Sequence, residues 1–289
     1  MANILYPPSR PQSVGEILDS GFRIFGATLA KCWPYAAGAM LIGQLPAIYA
    51  VTTHRAALEK ALLFDPRDRL GWLLLAVAIV GAVTLTNALI LRQYELVSGK
   101  PLAGSALGIG ARRVGGMLLI GLLVALAACA CALPIGLAAG AVAGLLSGLS
   151  APLIGATVVV VALLPASWLF VRWMYAGWGY LLTERGAIES LRYSWRLTRG
   201  SFWRLTVILS VALVLLLVVY LLSFVITGVT SVLFGYRDVA VVTAAGTVVV
   251  ILVRVVVSPF YTALALATYG DLAVRKEGAD LAQRIADAG

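Results

Sequence analysis

Residues 184–204 read ERGAIESLRYSWRLTRGSFWR and lie between two of the most apolar segments of the chain. On a helical wheel, one arc of about 100° holds the mostly apolar residues of this stretch, which are Ala187, Ile188, Leu191, Trp195 and Thr198. The neighbouring arc of about 60° holds a row of arginines, which are Arg185, Arg192, Arg196 and Arg199. An apolar face with tryptophan beside a block of arginines is typical of a helix lying in the plane of a membrane surface. We therefore predict an amphipathic helix in the cytosolic headgroup region, ended by Gly200.

The whole chain has the composition of a membrane protein. It has 289 residues, of which 61% are hydrophobic and 12% are charged, whereas ordinary soluble domains carry about 25% charged residues. Several uncharged apolar runs reach the length, about eighteen residues, at which a run indicates a transmembrane helix. The predicted fold class is an all-α, polytopic membrane protein with about six transmembrane helices, near 34–54, 70–97, 114–134, 152–182, 203–234 and 239–270.

The distribution of lysine and arginine predicts the orientation of these helices. Connections on one side of the six predicted helices carry fifteen of these residues, and connections on the other side carry five. Because cytosolic loops are enriched in lysine and arginine, we predict a multi-pass protein with both termini in the cytosol. The formal net charge of +9 then mainly reflects topology, and nucleic acid is not expected as a partner.

Two further stretches are similar to residues 184–204 and also precede apolar segments. SVGEILDSGFRIFGATLAK, at 13–31, has an apolar stripe opposite a polar side, and LAGSALGIGARRVG, at 102–115, is a weaker version. The three stretches align on residues that are 85 and 88 positions apart, namely Phe22, Leu107 and Trp195. The cytosolic ends of the predicted even-numbered spans carry tyrosines that are 86 and 89 positions apart, namely Tyr94, Tyr180 and Tyr269. Each tyrosine is followed by an acidic residue and a predicted glycine-containing turn.

The shared period predicts three parallel repeats, each an interfacial amphipathic helix followed by a transmembrane hairpin. The predicted repeats cover about 13–98, 99–185 and 186–275, with a cytosolic tail at 276–289. Together they are expected to form a single integral membrane domain, 1–289.

Three segments carry a resemblance to a known bacterial family: SVGEILDSGFRIF, AIESLRYSWRLTRGSFWR and SPFYTALALATYGDLAVRKEGADL. Over nearly its whole length the chain resembles the integral membrane domain attached to some glycerophosphoryl diester phosphodiesterases, and related stand-alone membrane proteins. The resemblance implies a protein of the bacterial cytoplasmic (inner) membrane. In the fused proteins a separate barrel performs the chemistry with acidic residues, histidines and a metal. This chain has one histidine and thirteen acidic residues, so the resemblance is not expected to bring that enzyme activity with it.

Two arginines lie inside predicted spans. Arg254 lies fifteen residues before Tyr269 and thus about 22 Å inward from the cytosolic boundary. An isolated charge near the bilayer midplane costs at least about 3 kcal/mol. Arg254 could face a cavity and hold a phosphate or carboxylate; alternatively, it could donate to backbone carbonyls, such as that of Val255 released by Pro259, or extend toward an interface. Arg172 is shallower and extends to the interface more easily.

The arginine row of 184–199 could bind anionic lipid specifically, or could serve only topology and surface anchoring. The candidate residues for binding an anionic lipid or ligand are Arg254, Arg172, Arg185, Arg192, Arg196 and Arg199. Acidic residues repeat at the cytosolic ends of the even-numbered spans, namely Glu95, Glu184 and Asp271. We interpret them as a structural clasp that bridges to arginines of neighbouring interfacial helices, not as catalytic groups. Interhelical hydrogen bonds account for polar residues inside the spans, such as Gln44 and Asn87.

The sequence leaves three alternatives for function. The first is a non-catalytic membrane adaptor, scaffold or subunit of an envelope complex. The second is a transporter or lipid-handling protein whose proline-interrupted helices move or bind an anionic headgroup near Arg254. The third, an intramembrane enzyme, needs a nucleophile or paired acids at membrane depth, and the sequence offers neither, nor any metal or cofactor motif. We favour the first, with anionic membrane lipids, a membrane-protein partner or a second copy of the chain as expected partners.

Overall fold

The structure, a computed structural model, describes residues 5–53, 68–145, 161, 165–233 and 239–288. These residues are mainly helical and contain no strand, as the all-α prediction requires. Residues 54–67 and part of the predicted fourth span lie outside the described residues. The helices are α1 (Val14–Gly43), α2 (Leu45–Thr53), α3 (Arg69–Ser98), α4 (Ala106–Arg112), α5 (Val114–Leu145), α6 (165–173), α7 (Ala176–Leu182), α8 (Ala187–Thr198), α9 (Phe202–Leu233) and α10 (Val239–Ala288).

Local sequence signals explain where several helices begin and end. The Ser13 hydroxyl accepts from the Glu16 N–H at 3.3 Å, and the Glu16 carboxylate accepts from the Ser13 N–H at 2.6 Å, which is a capping box at the start of α1. The bonds from Ser13, together with Arg10, hold the pKa of Glu16 below its ordinary value of 4.5. Gly200 has a φ of 82°, which side chains with a Cβ rarely adopt, so α8 ends shortly before it, as predicted.

The long helices are less interrupted than predicted. α10 runs unbroken through Pro259, where the sequence predicts a proline-interrupted helix. α1 runs unbroken through Pro34, so the first interfacial stretch and the start of the first predicted span form one helix. α10 also continues without a break past Asp271 to Ala288, so the glycine-containing turn predicted after Asp271 is wrong. A Cβ at Gly270 would lie 2.7 Å from the ring of Tyr6. Glycine at this position therefore permits close packing rather than a turn.

The chain divides into two compact units, Met1–Val114 with Val207–Gly289, and Gly115–Thr206. In the first unit, α1 packs against α3 and α10, and α4 packs against α3. In the second unit, α7 packs against α8. Helix α9 begins in the second unit and continues in the first.

Buried polar side chains connect the helices of the first unit. Gln93 of α3 is fully buried, and its Nε2 donates to the Thr28 hydroxyl of α1 at 3.0 Å and to the Pro259 carbonyl of α10 at 3.1 Å. We call these three residues the Gln93 cluster. Asn87 Nδ2 donates to the Gly110 carbonyl of α4 at 3.2 Å, which confirms the interhelical hydrogen bond predicted for Asn87. Buried amides thus hold α1, α4 and α10 against α3.

Four helices within the described residues are long and apolar enough to cross a membrane: Arg69–Ser98, Val114–Val142, Phe202–Ile226 and Ile251–Lys276. They correspond to four of the six predicted spans. Many large apolar side chains on these helices are exposed, among them Leu73 and Leu217. Large contiguous apolar surface of this kind is unfavourable in water and indicates contact with lipid. The first predicted span, 34–54, is instead divided at Gln44 between α1 and α2.

Candidate functional site

Helix α8 contacts its own unit through a small, polar face. Ser190, Ser194 and Thr198 are fully buried, and they recur every four residues on one side of the helix. The Ser194 hydroxyl donates to the Arg172 carbonyl at 2.8 Å, and the Thr198 hydroxyl approaches the same carbonyl at 3.3 Å. Thr198, predicted to lie on the exposed apolar face, is therefore part of the buried face. Leu197 of α8 is buried as well, so hydroxyls and an apolar side chain together hold the helix in place.

The apolar and arginine faces of α8 remain open. The side chain of Ile188 is 58% exposed, and Arg192 and Arg196 are also exposed. These faces border a groove of about 630 Å³, which we call the α8 groove; its lining residues are Trp173, Ile188, Glu189, Leu191, Arg192, Trp195 and Arg196. The groove combines an apolar floor with two guanidinium groups. Such a surface is complementary to an amphipathic, anionic ligand.

Arg172 is enclosed by tryptophans. Its guanidinium carbon lies 5.2 Å from the ring centroid of Trp168 and 5.4 Å from that of Trp195, within the range of cation–π attraction. The Nε and Nη1 atoms are buried and have no hydrogen-bond partner among the described residues. Trp195 also contacts Trp168 and Trp173, with ring centroids 5.2 Å and 5.9 Å apart. Arg172 thus holds one wall of the α8 groove in position.

The four arginines of the predicted row have different surroundings. The guanidinium of Arg185 stacks on Tyr193 at 3.9 Å, and its Nε lies 3.8 Å from a carboxylate oxygen of Glu189. By contrast, Arg192 and Arg196 make no side-chain hydrogen bond or ion pair with any residue that the structure describes. Arg199 is exposed but does not line the groove. The row therefore contains two arginines that are available to a ligand at the groove.

Arg254 lies in the other unit and does not line the α8 groove. It is exposed on α10, and its Nε donates to the Tyr220 hydroxyl of α9 at 3.2 Å. Its observed partner is a phenol, and it makes no hydrogen bond to the Val255 carbonyl among the described residues. No local pattern in the sequence connects Arg254 with Tyr220, because they lie 34 residues apart on different helices.

The predicted acidic clasp has different partners from those expected. Glu95 pairs with Arg92 of its own helix at 2.5 Å, and Glu184 makes no ion pair with a described residue. Asp271 is fully buried; it pairs with Arg275 of its own helix at 2.9 Å and accepts from the Gln12 N–H at 2.7 Å. Since helix neighbours three or four residues away reach an acid most easily, Glu95 and Asp271 pair within their helices.

The sequence pattern drew attention to the exposed residues of α8 but missed the buried ones. A signal was present, because serine or threonine recurs at positions 190, 194 and 198. The wheel places Thr198 in the apolar arc and assigns Ser190 and Ser194 to neither arc. Gln93 was also missed, because a lone glutamine near the cytosolic end of a span looks like an interface residue.

Comparison of the chain with models of known protein families, with curated proteins and with solved structures finds no match. No group of three or more His, Cys, Asp or Glu side chains that could hold a metal is present in the part of the chain that the structure describes. The helices and their exposed apolar surfaces define the class as a helical membrane protein.

Proposed function

We propose that this chain is a non-catalytic adaptor of the bacterial inner membrane, which uses α8 to hold the cytosolic headgroup layer and thereby present a partner-binding surface. The proposal rests on which faces of α8 pack against the rest of the chain and which are exposed. The buried side of the helix is bound to its own chain, while Ile188, Arg192 and Arg196 are exposed. A helix with these two open faces side by side is suited to a membrane surface.

The proposal includes the three repeats and the six spans with cytosolic termini. Helix α4 packs against α3 and α8 against α7, the helices that precede them, while α1 packs against α10, the last helix. The predicted period aligns Ile17 and Gly21 of α1 with Ser190 and Ser194 of α8, and all four are buried. Ala106 of α4, which aligns with Gly21, is buried too. A common packing pattern in three places supports a repeated unit.

The resemblance to the membrane domain of glycerophosphoryl diester phosphodiesterases is part of the same proposal. It is consistent with a sequence that predicts membrane helices and contains no catalytic motif. The lipid-handling alternative also stays a prediction for Arg254. The geometry offers more support for anion binding at α8, because Arg254 already has Tyr220 as a partner.

The adaptor role is tested by native mass spectrometry of the full chain, gently extracted from its own membrane. We expect a second membrane protein at a fixed ratio to the chain, in repeated preparations and at different protein concentrations. As a control, the Gln44→Leu variant leaves α8 unchanged and should retain the same partner as the wild type. A chain that carries no protein partner under any mild condition would contradict the adaptor role.

A further inference from the structure

We propose that the α8 groove binds one anionic phospholipid, with the phosphate between Arg192 and Arg196 and an acyl chain on the apolar floor. The proposal rests on the proposed function to the extent that it takes α8 to lie in the headgroup layer. It goes further by assigning a specific ligand class and a one-to-one site. A helix held at the surface by general attraction alone would have no such site.

The apolar part of the groove fits a hydrocarbon chain. Trp173, Ile188, Leu191 and Trp195 line it, and none of them offers a charge. Its volume of about 630 Å³ lies within the range of about 300–1,000 Å³ that is usual for ligand sites. A fully polar ligand, such as a free phosphate ion, would leave this floor without a contact.

The charged part of the groove fits a phosphate. Arg192 and Arg196 are four residues apart on α8, so their Cβ atoms lie about 5–6 Å from each other on the same side of the helix. Guanidinium groups bind phosphate oxygens in pairs of parallel hydrogen bonds. Glu189 also lines the groove, but Arg185 lies 3.8 Å from its carboxylate and offsets its charge. The groove is therefore positive where its two free arginines lie.

The tryptophan wall gives the site a fixed shape before the ligand arrives. Trp195 is held between the Arg172 guanidinium and the ring of Trp173, and Trp168 contacts it edge-on. Rigid walls reduce the ordering that binding would otherwise require. Arg172 is thus a positioning residue, which acts on the ligand through Trp195.

A lipid is the occupant that the surroundings favour. The same chain carries four helices apolar enough to cross a bilayer, so phospholipid is present at very high local concentration. The two free arginines select an anionic headgroup by charge complementarity. A peptide partner would need to satisfy the same arginines with acidic residues, in competition with the lipid.

The test is native mass spectrometry of the full chain released from phosphatidylcholine nanodiscs that contain increasing fractions of phosphatidylglycerol. We expect the wild type to retain one phosphatidylglycerol. Arg192→Gln with Arg196→Gln should weaken this binding about tenfold or more, since both arginines would lose charge-assisted hydrogen bonds to the phosphate. The matched control, Arg112→Gln with Arg199→Gln, removes two exposed arginines that do not line the groove and should change binding less than about threefold.

Further measurements distinguish a bound lipid from other ligands of the groove. Excess inorganic phosphate should not displace the lipid, because it lacks an acyl chain. Ile188→Ser should weaken retention, whereas Ile188→Val should leave it near the wild-type level. Thermal unfolding of each variant confirms that the chain remains folded, and Arg192→Lys with Arg196→Lys provides a second, conservative pair that retains charge and partial binding.

Several results would overturn the lipid site. Equal losses in the groove pair and the control pair would mean general attraction to the surface, and no retained lipid in the wild type would mean an empty groove. Displacement by inorganic phosphate would identify a free anion. Since the protein partner is scored in a different preparation, extracted from the native membrane, these outcomes leave the adaptor role independently testable.

Discussion

The Gln93 cluster and the α8 groove are both places where polar groups meet apolar surroundings, but the chain treats them in opposite ways. Gln93 is buried between three helices and donates to groups of α1 and α10. In the groove, Arg192 and Arg196 have no partner among the described residues. Polar groups that satisfy one another inside the fold stabilise it, whereas polar groups left open beside apolar surface are suited to an external ligand. Changes at the first place should affect stability, and changes at the second should affect binding.

The largest effect is expected where α4 meets α3. A Cβ at Gly110 would lie 2.8 Å from the Thr84 carbonyl oxygen and 3.1 Å from the Ala88 nitrogen, and backbone atoms cannot move aside easily. We expect Gly110→Ala to reduce the free energy of unfolding by about 1–3 kcal/mol, measured by denaturation in detergent. The control is Gly115→Ala, which meets nothing within 4 Å and should be neutral or slightly stabilising. Equal stabilities of the two variants would refute the close contact.

The Gln93 cluster should be the next most sensitive place. Gln93→Leu removes both donations, but it also removes the buried Oε1 of Gln93, which has no hydrogen-bond partner among the described residues. We therefore expect a loss of about 1 kcal/mol in the free energy of unfolding. Gln44→Leu provides the matched control, because the Gln44 side chain makes no hydrogen bond with a described residue, contrary to the interhelical bond predicted for it. Lipid retention per folded molecule should be unchanged in both. If Gln93→Leu lowers lipid retention but not the free energy of unfolding, the roles assigned to the Gln93 cluster and the α8 groove would be contradicted.

Arg172 is expected to have a smaller effect on stability than on the groove. Arg172→Met keeps most of the side-chain volume but removes cation–π contacts of about 0.5–2 kcal/mol, while it also removes two buried, unpartnered N–H groups. We therefore expect a net stability change within about 1 kcal/mol, together with an altered tryptophan emission spectrum and weaker lipid retention. Arg254 has no tryptophan contact among the described residues, so Arg254→Met should leave the emission spectrum unchanged. The same spectral change in both variants would argue against a positioning role for Arg172.

The smallest effect is expected at the start of α1 and depends on pH. Because the folded-state pKa of Glu16 lies below its ordinary value of 4.5, the ionised capping box stabilises the fold above that pH, and this stabilisation is lost as the pH falls through the folded-state pKa. We expect Glu16→Gln to lower the midpoint of thermal unfolding slightly at neutral pH and to match the wild type in acid. A difference that persists unchanged at pH well below 4.5 would show that ionisation plays no part.

The sequence was sufficient for the class of fold because apolar runs and helix caps are local signals. The all-helical architecture, the break at Gly200 and the hydrogen bond of Asn87 are confirmed. The arginines of α8 were also identified as candidates, and Arg192 and Arg196 lie at the groove. Four of the six predicted spans correspond to helices apolar enough to cross a membrane.

What could not be predicted depends on contacts between distant residues. Gly270 packs against Tyr6, more than 250 residues away in the sequence, and no local pattern indicates this contact. The partners of Arg254 and Gln93 likewise lie on other helices. Glu95 pairs with Arg92, which lies within one turn of the same helix, and not with an arginine of a neighbouring interfacial helix. A helical wheel also cannot tell which face a protein binds internally, and in α8 that face is the small polar one.

The central claim, that the open apolar face of α8 lies in lipid, is tested most directly by the depth of a spin label at position 188. The three native cysteines are replaced first, Ile188→Cys is labelled with a nitroxide in phosphatidylglycerol-containing vesicles, and Gly186→Cys serves as the exposed reference. We predict that the label at 188 collides more often with oxygen than with a water-soluble nickel chelate, at a depth of about 5–10 Å below the headgroups. A label at 188 that is as accessible to the nickel chelate as the label at 186 would contradict the account.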